Sequence, residues 1–404
     1  MQSIDEARSL VMQQARPLPP AVFPLMSSVL GCVLAEDVVA DIDMPPFDKA
    51  MMDGYAVRAD DIQDGKAILA VAAEITAGDT AERPLQKGQA ARIMTGAPIP
   101  AGSDAVVMME RTRPAEPGLV AIDDPSFRPG QNILPRGQEM RRGEVVVASG
   151  TVLRPQEFGL LAGVGRTAVR IHPQPTVAIL ATGNELVDVS SRPGPGQIRN
   201  SNGTMLVAQV SRGGGIPRHL GIARDDPGQL RSLIRDGLAS DMLVLSGGVS
   251  AGDLDLVPGI LQELGVTTHF HKVKMKPGKP VFFGTADRRL VFGLPGNPVS
   301  CFVCFELFVR PAIRALAGHK NAGPRLVRAT LTEDFSYQSD RPTFHPARVT
   351  VEENGFSVRV CPWFGSADLR GILSANAFIV LPEGVAEHRA GAVFDVLLSD
   401  DLLF

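Results

Sequence analysis

Three acidic side chains, a run of lysines and two glycine-rich turns between residues 185 and 300 hold the chemistry legible in this chain. The densest part spans 241–300. An apolar run, Met242-Leu243-Val244-Leu245, breaks into Ser246-Gly247-Gly248-Val249-Ser250-Ala251-Gly252-Asp253-Leu254-Asp255. Glycines let backbone N–H groups approach a ligand, and a helix expected over 256–264 adds a partial positive charge at its start, so the loop suits a phosphate or another small anion. Lys272, Lys274, Lys276 and Lys279 crowd into and around Lys276-Pro277-Gly278-Lys279-Pro280, and a second turn, Pro295-Gly296-Asn297-Pro298-Val299-Ser300, follows a strand expected over 290–294. Glu185, Asp225 and Asp255 each fall just after an expected strand. Carboxylates there suit Mg²⁺, which takes one or two carboxylates plus ligand phosphates. Together these features describe a site for a polyanionic ligand with a divalent metal. Singly, each acid reads equally as a helix N-cap; their common rim beside the glycine loop favours a site. Lys272, Lys274 and Lys276 alternate and so share one side of a strand, either facing an anion or forming a solvated face.

The elements that must position these groups alternate strand and helix from Pro175 onward. A strand is expected over 177–180, a helix over 202–210 and a strand over 218–223. Asp225-Asp226-Pro227 then starts a helix with Leu230, Leu233 and Ile234 on one face. This series implies an open, mostly parallel, doubly wound α/β sheet, in which ligands bind at the carboxyl ends of the strands. A helix over 299–317, kinked at Pro311, closes the domain. Upstream, Ser3-x-x-Glu6 is a capping box for an amphipathic helix with Ile4, Ala7, Leu10 and Val11 inward. A second short helical stretch is expected to end near Ala35. Short apolar runs between Gly and Pro turns over 41–140 read as a β-rich insertion domain. A strand and a helix over 143–170 pack back on the N-terminus, making 1–40 and 141–174 one discontinuous domain. Residues 175–320 are the α/β domain and 324–404 a small C-terminal β domain. The fold class is therefore multidomain α/β plus β.

The totals set outer limits. A chain of 404 residues has length for several cores. A net charge of −4 leaves no dominant basic face for nucleic acid or a membrane surface. Gly 41 and Pro 32 exceed the usual combined share of about 12%, as short strands and tight turns require. Four scattered cysteines, no leader-like N-terminus and no apolar run near the ~20 residues that span a bilayer point to a reduced, cytoplasmic protein. Cys301-x-x-Cys304 lies in an apolar context and reads as core packing, because one pair cannot complete a zinc site.

Over nearly its whole length the chain resembles the molybdopterin molybdenumtransferases, the MoeA family that includes the E domain of gephyrin. The resemblance rests on Pro45-Pro46-Phe47-Asp48, Met52-Asp53-Gly54-Tyr55-Ala56, Ile93-Met94-Thr95-Gly96-Ala97-Pro98 and Thr182-Gly183-Asn184-Glu185-Leu186. It continues through Asp225-Asp226, Ser246-Gly247-Gly248-Val249-Ser250, Asp255, Lys276 to Pro280, Leu294 to Ser300, and Ala375-Asn376. It implies a Mg²⁺-dependent enzyme that inserts molybdate into adenylylated molybdopterin, releasing AMP and the molybdenum cofactor. It further implies a homodimer and an adenylylating partner enzyme upstream. By position, Glu185, Asp225 and Asp255 would be catalytic and hold Mg²⁺. Ser246, Gly247, Gly248, Lys272, Pro295, Gly296 and Asn297 would bind the nucleotide-pterin, with Asp53 and Thr95 supplied by the partner subunit. Lys276, Lys279, Pro280 and Ser366 would bind molybdate.

The chain departs from the family pattern in three places. Lys49-Ala50-Met51 replaces Asn-Ser-Ala, Leu134 and Glu139 stand where Arg and Asp are expected, and Pro346 replaces an arginine, leaving Arg348 on the same strand face as a stand-in. Those departures motivate a second reading, a catalytically silent pterin-binding scaffold or regulator of the same fold. A third, the adenylylating enzyme itself, would account for the α/β domain alone.

Overall fold

Ser3 opens the first helix, Ile4–Gln14: its hydroxyl accepts from the Glu6 N–H, and the Glu6 carboxylate accepts from the Ser3 N–H. The capping box thus satisfies two helix-end donors, and Ala7 and Val11 on the inner face are fully buried. The structure, a computed structural model, describes residues 1–79, 83–248 and 256–399. The chain divides into two units, 36–169 and the remainder.

The larger unit is built on a six-stranded sheet in the order Ile216–Ala223, Thr176–Thr182, Met242–Ser246, Arg289–Leu294, Pro280–Ala286, Thr267–Lys272. The first four strands are parallel, and the last two close the edge as an antiparallel hairpin. Alternation sorts the central strands: Val177, Ile179, Met242 and Val244 face one core, while Ala178, Leu180, Leu243 and Leu245 face the other. Helices Ser201–Arg212 and Ile4–Gln14 supply the first core, and Pro227–Gly237 and Leu256–Glu263 the second. Strands buried on both faces explain the near-continuous apolar runs.

From Pro298 to Leu316 the chain is helical without a break, but residues Phe305–Val309 form a π-turn. The kink expected at Pro311 is replaced by this wider turn just before it. Proline lacks an N–H and crowds the carbonyl four residues back, and a π-turn accommodates both demands. Within the turn the buried Glu306 accepts from Gln209 Nε2 (3.0 Å), from the Arg310 guanidinium (3.1 Å) and from Arg212. A carboxylate removed from water needs that many partners, and here they lash helix Ser201–Arg212 to the π-turn.

The C-terminal β domain is a closed barrel of Leu326–Leu331, Gly355–Val360, Thr343–Glu352, Ala377–Leu381 and Val393–Leu398. The expected helical stretch ending near Ala35 is not formed. Ala21–Pro24 and Val33–Leu34 are strands flanking a 3₁₀ turn, Ser27–Val29. Three prolines within 19–24 remove helix donors, and the β-branched residues pair instead. The smaller unit has its own six-stranded sheet, ordered Ala105–Met108, Gly54–Val57, Gln89–Ile93, Lys66–Ile75, Leu119–Asp123, Thr112–Pro114. It also contains the helix Pro155–Gly163. No helix among the described residues is long and apolar enough to cross a membrane.

Candidate active site

The carboxyl ends of the parallel strands open onto a hollow of about 830 Å³. Glu185 and Asp225 both line it, with Ser246, Gly247, Gly248, Pro295, Gly296 and Asn297. Asp255 lies outside the described residues. Glu185 comes three residues after the end of the strand Thr176–Thr182, and its carboxylate folds back across Gly183, where any Cβ would collide with it. Asn184 ties this loop to the next: its Oδ1 accepts from the Asp225 N–H (3.1 Å) and its carbonyl from Arg224 (2.7 Å). The N-cap of the following helix is Asp226, which accepts from the Gln229 N–H at 2.7 Å. Capping therefore accounts for Asp226 and leaves Asp225 to the hollow. Among the described residues neither the Glu185 nor the Asp225 carboxylate is engaged in a hydrogen bond or ion pair, and no group of three metal-ligating side chains forms.

The glycine loop is held against Thr182. Gly248 takes φ +60°, and a Cβ there would sit 2.5 Å from Thr182 Oγ1, so the position demands glycine. One side chain that the sequence did not single out joins the two turns. Asn202, in the first turn of helix Ser201–Arg212, donates through Nδ2 to Ser246 Oγ (2.9 Å) and to the Gly296 carbonyl (2.8 Å). Its Oδ1 and Thr182 Oγ1 are buried without a partner among the described residues, at the wall of the hollow. The polar triplet Asn200-Ser201-Asn202 at a helix start was the available signal.

A second hollow, about 550 Å³, adjoins the first through Pro280, Pro295 and Asn297. Lys276, Lys279 and Ser366 line it, together with Tyr337, Arg341 and Trp363, three residues that sequence reasoning missed. Lys276 Nζ lies 5.1 Å from the centroid of the Tyr337 ring, a cation–π contact. Asn297 Nδ2 donates to Ser366 Oγ (2.8 Å) and the Val299 N–H to the Ser366 carbonyl (3.0 Å), joining the barrel segment to the helix start.

Two expected contributors sit elsewhere. The strand carrying Lys272 ends there, and the Met275 N–H turns back to the Val273 carbonyl, so the lysines do not continue along one strand face. Lys274 pairs with Glu383 at 2.6 Å, and Lys272 lines neither hollow. Arg348 is exposed, donates to the Ser374 carbonyl and also lines neither hollow.

Behind the two turns lie Cys301, whose Sγ is 4.0 Å from Ser246 Oγ, and Cys304, whose thiol meets the Gly278 carbonyl at 3.7 Å. Both are free and buried. Burial pushes the Cys301 thiol up to about 12 and Cys304 well above its ordinary value.

In the smaller unit, Thr95 donates to Asp53 Oδ1 through its N–H and its hydroxyl, both at 2.7 Å. Those bonds, the backbone one foremost, hold the Asp53 carboxyl below its usual range. The departures also meet: Lys49 opposes Leu134 in a strand pair, and its Nζ bonds Glu139 Oε1 at 2.9 Å.

Comparison with known proteins agrees over the whole chain. Residues 2–165 match the family described as MoeA N-terminal region (domain I and II), 178–315 that described as probable molybdopterin binding domain, and 328–399 the MoeA C-terminal region (domain IV). A molybdopterin molybdenumtransferase of Staphylococcus epidermidis is 36% identical over 407 aligned residues, covering 100% of this chain and 96% of that protein. One from Staphylococcus aureus strain Mu50 is 36% identical, covering 98% and 95%. The solved molybdopterin biosynthesis moeA protein of Pyrococcus horikoshii OT3 superposes with a TM-score of 0.81 at 32% identity, covering 98% of this chain and 100% of its own. With sequence, fold and the strand-end hollow in agreement, the chain belongs to the molybdopterin molybdenumtransferases, the MoeA family of enzymes in molybdenum cofactor biosynthesis.

Proposed function

We propose that the protein takes adenylylated molybdopterin and molybdate, inserts the metal into the dithiolene and releases AMP, with Mg²⁺ required. One observation supports this above the others: two uncommitted carboxylates, Glu185 and Asp225, share a hollow with the Ser246–Gly248 turn, directly beside a second hollow lined by Lys276 and Lys279. The donor set fits Mg²⁺, which favours one or two carboxylates completed by ligand phosphates. Glu185 and Asp225 would hold it, with Asp255 assigned there by the family resemblance. When bound, the ion supplies Lewis-acid polarisation of the phosphate linkage.

The chain's own groups do the rest. Ser246, Gly247, Gly248, Pro295, Gly296 and Asn297 orient the nucleotide-pterin, and Asn202 fixes the spacing of the two turns. Lys276, Lys279, Pro280 and Ser366 receive molybdate next to it. Asp53 and Thr95 of the partner subunit complete the site in a homodimer, and an adenylylating enzyme supplies the substrate.

The test is incubation of the purified protein with adenylylated molybdopterin, Mg²⁺ and molybdate. AMP release that depends on both ions is expected. Tight binding without AMP release would mark the scaffold reading instead, and ATP consumption with free molybdopterin the adenylylating one.

A further inference from the structure

The second hollow raises a question of charge and shape. Lysine ammonium groups are compact point charges on flexible stems and impose no orientation on an anion, whereas a guanidinium offers parallel N–H groups that match two oxygens at once. The family resemblance leads one to expect an arginine at position 346. Proline stands there, with its carbonyl accepting from the Cys361 N–H. Arg348 cannot replace it. No residue of the barrel strand Thr343–Glu352 lines the hollow; Thr343 at its start pairs with Lys276, and five residues of strand carry Arg348 roughly 16 Å further along.

The backbone instead fixes another arginine at the hollow. The Lys276 N–H donates to the Pro342 carbonyl (2.9 Å) and the Phe344 N–H to the Lys276 carbonyl (2.7 Å), so the segment entering the barrel strand runs alongside Lys276. Arg341 immediately precedes it and lines the hollow with Lys276, Lys279 and Ser366. Its side chain is 23% exposed, and its Nε donates to Asp340 Oδ1 at 3.0 Å, on a carboxylate that is itself 75% exposed. An ion pair with so exposed a partner contributes little, so the fork is open to exchange that partner for a bound anion.

We infer that Arg341 is the guanidinium that orients the tetrahedral oxyanion in the second hollow, in the role the missing arginine leaves vacant. The inference rests on the reading of that hollow as the molybdate site. Arg341 sets anion selectivity, while Lys276 and Lys279 set the overall attraction. Asp340 is the side chain from which the anion displaces Arg341.

The test is equilibrium dialysis of the full-length protein with molybdate, with and without excess chloride, alongside AMP release and Mg²⁺-AMP affinity. Arg341→Ala is expected to weaken molybdate binding on the order of tenfold, the loss of one charge-assisted contact, with Mg²⁺-AMP affinity unchanged. Arg341→Lys keeps the charge, so it should recover part of the affinity while losing discrimination against chloride. Wild-type molybdate affinity in Arg341→Ala, or a loss in Arg348→Ala without one in Arg341→Ala, would overturn the assignment. A wild-type protein that binds no molybdate would overturn the reading of the hollow itself, and Arg341 with it.

Discussion

The two hollows share a wall yet are built from opposite materials. The first gathers backbone turns, a helix start and two carboxylates at the ends of parallel strands; the second gathers cations and rings from the edge hairpin and the barrel. Their common residues are Pro280, Pro295 and Asn297. Had the acids and lysines faced one cavity, they would have paired and neutralised each other. Kept apart, the carboxylates repel a phosphate until a divalent cation intervenes, whereas the lysines attract an oxyanion unaided. Metal dependence should therefore belong to one side of the wall only.

That division can be broken experimentally, beginning with the largest effect. Chelation of divalent metal should reduce AMP release to background while leaving molybdate retention in dialysis within about twofold, a change under 0.5 kcal/mol; parallel loss of both would erase the distinction. Asp225→Asn should lower the AMP-release rate by roughly 10²–10³, the usual cost of removing a fixed electrostatic group at a reacting centre, with circular dichroism unchanged. A rate near wild type would remove Asp225 from the site. Lys279→Ala should raise the half-saturating molybdate concentration by about tenfold without altering Mg²⁺-AMP affinity.

The smallest effects belong to the buried thiols. Cys304→Ala should raise the molybdate requirement about threefold, and Cys301→Ala should weaken Mg²⁺-AMP binding to a similar degree, each corresponding to one weak contact beneath a turn. Exchange of the two phenotypes would refute the pairing of thiol with hollow. Burial raises the folded Cys301 value from 9.0 to about 12. The fold therefore favours the protonated thiol: its contribution to stability is whole below pH 9 and is lost as pH climbs toward 12. Urea melts across that interval should show the decline, and Cys301→Ala should flatten it.

The parallel half of the sheet was legible because its information is local. Apolar runs, helix starts such as Asp226-Pro227 and the glycine turns at 183 and 247–248 each declare themselves within a few residues, and strand-end geometry then brings Glu185 and Asp225 to one rim. The second hollow was only half legible. Lys276 and Lys279 advertise themselves in a turn, but Tyr337, Arg341 and Trp363 come from barrel segments placed by long-range pairing, for which periodicity offers no sign. The same blindness grouped Arg348 with Lys276 and Lys279, whose hollow it does not line, since parity along a strand says which face a side chain takes and not how far along it lies. Neither did the sequence reveal Glu306, whose partners Gln209 and Arg212 lie some hundred positions away.

Ser366 illustrates what a single neighbour can decide. A hydroxyl has one proton to give and lone pairs to receive, and the Asn297 amide already fills one of those lone pairs. The serine proton is thereby left to point elsewhere, and its hollow wants donors. An uncharged group aimed in this way keeps its pull when salt dampens that of the ammonium groups, so, were an oxyanion held there as proposed, the asparagine on the dividing wall would lend it a grip that ionic strength does not loosen.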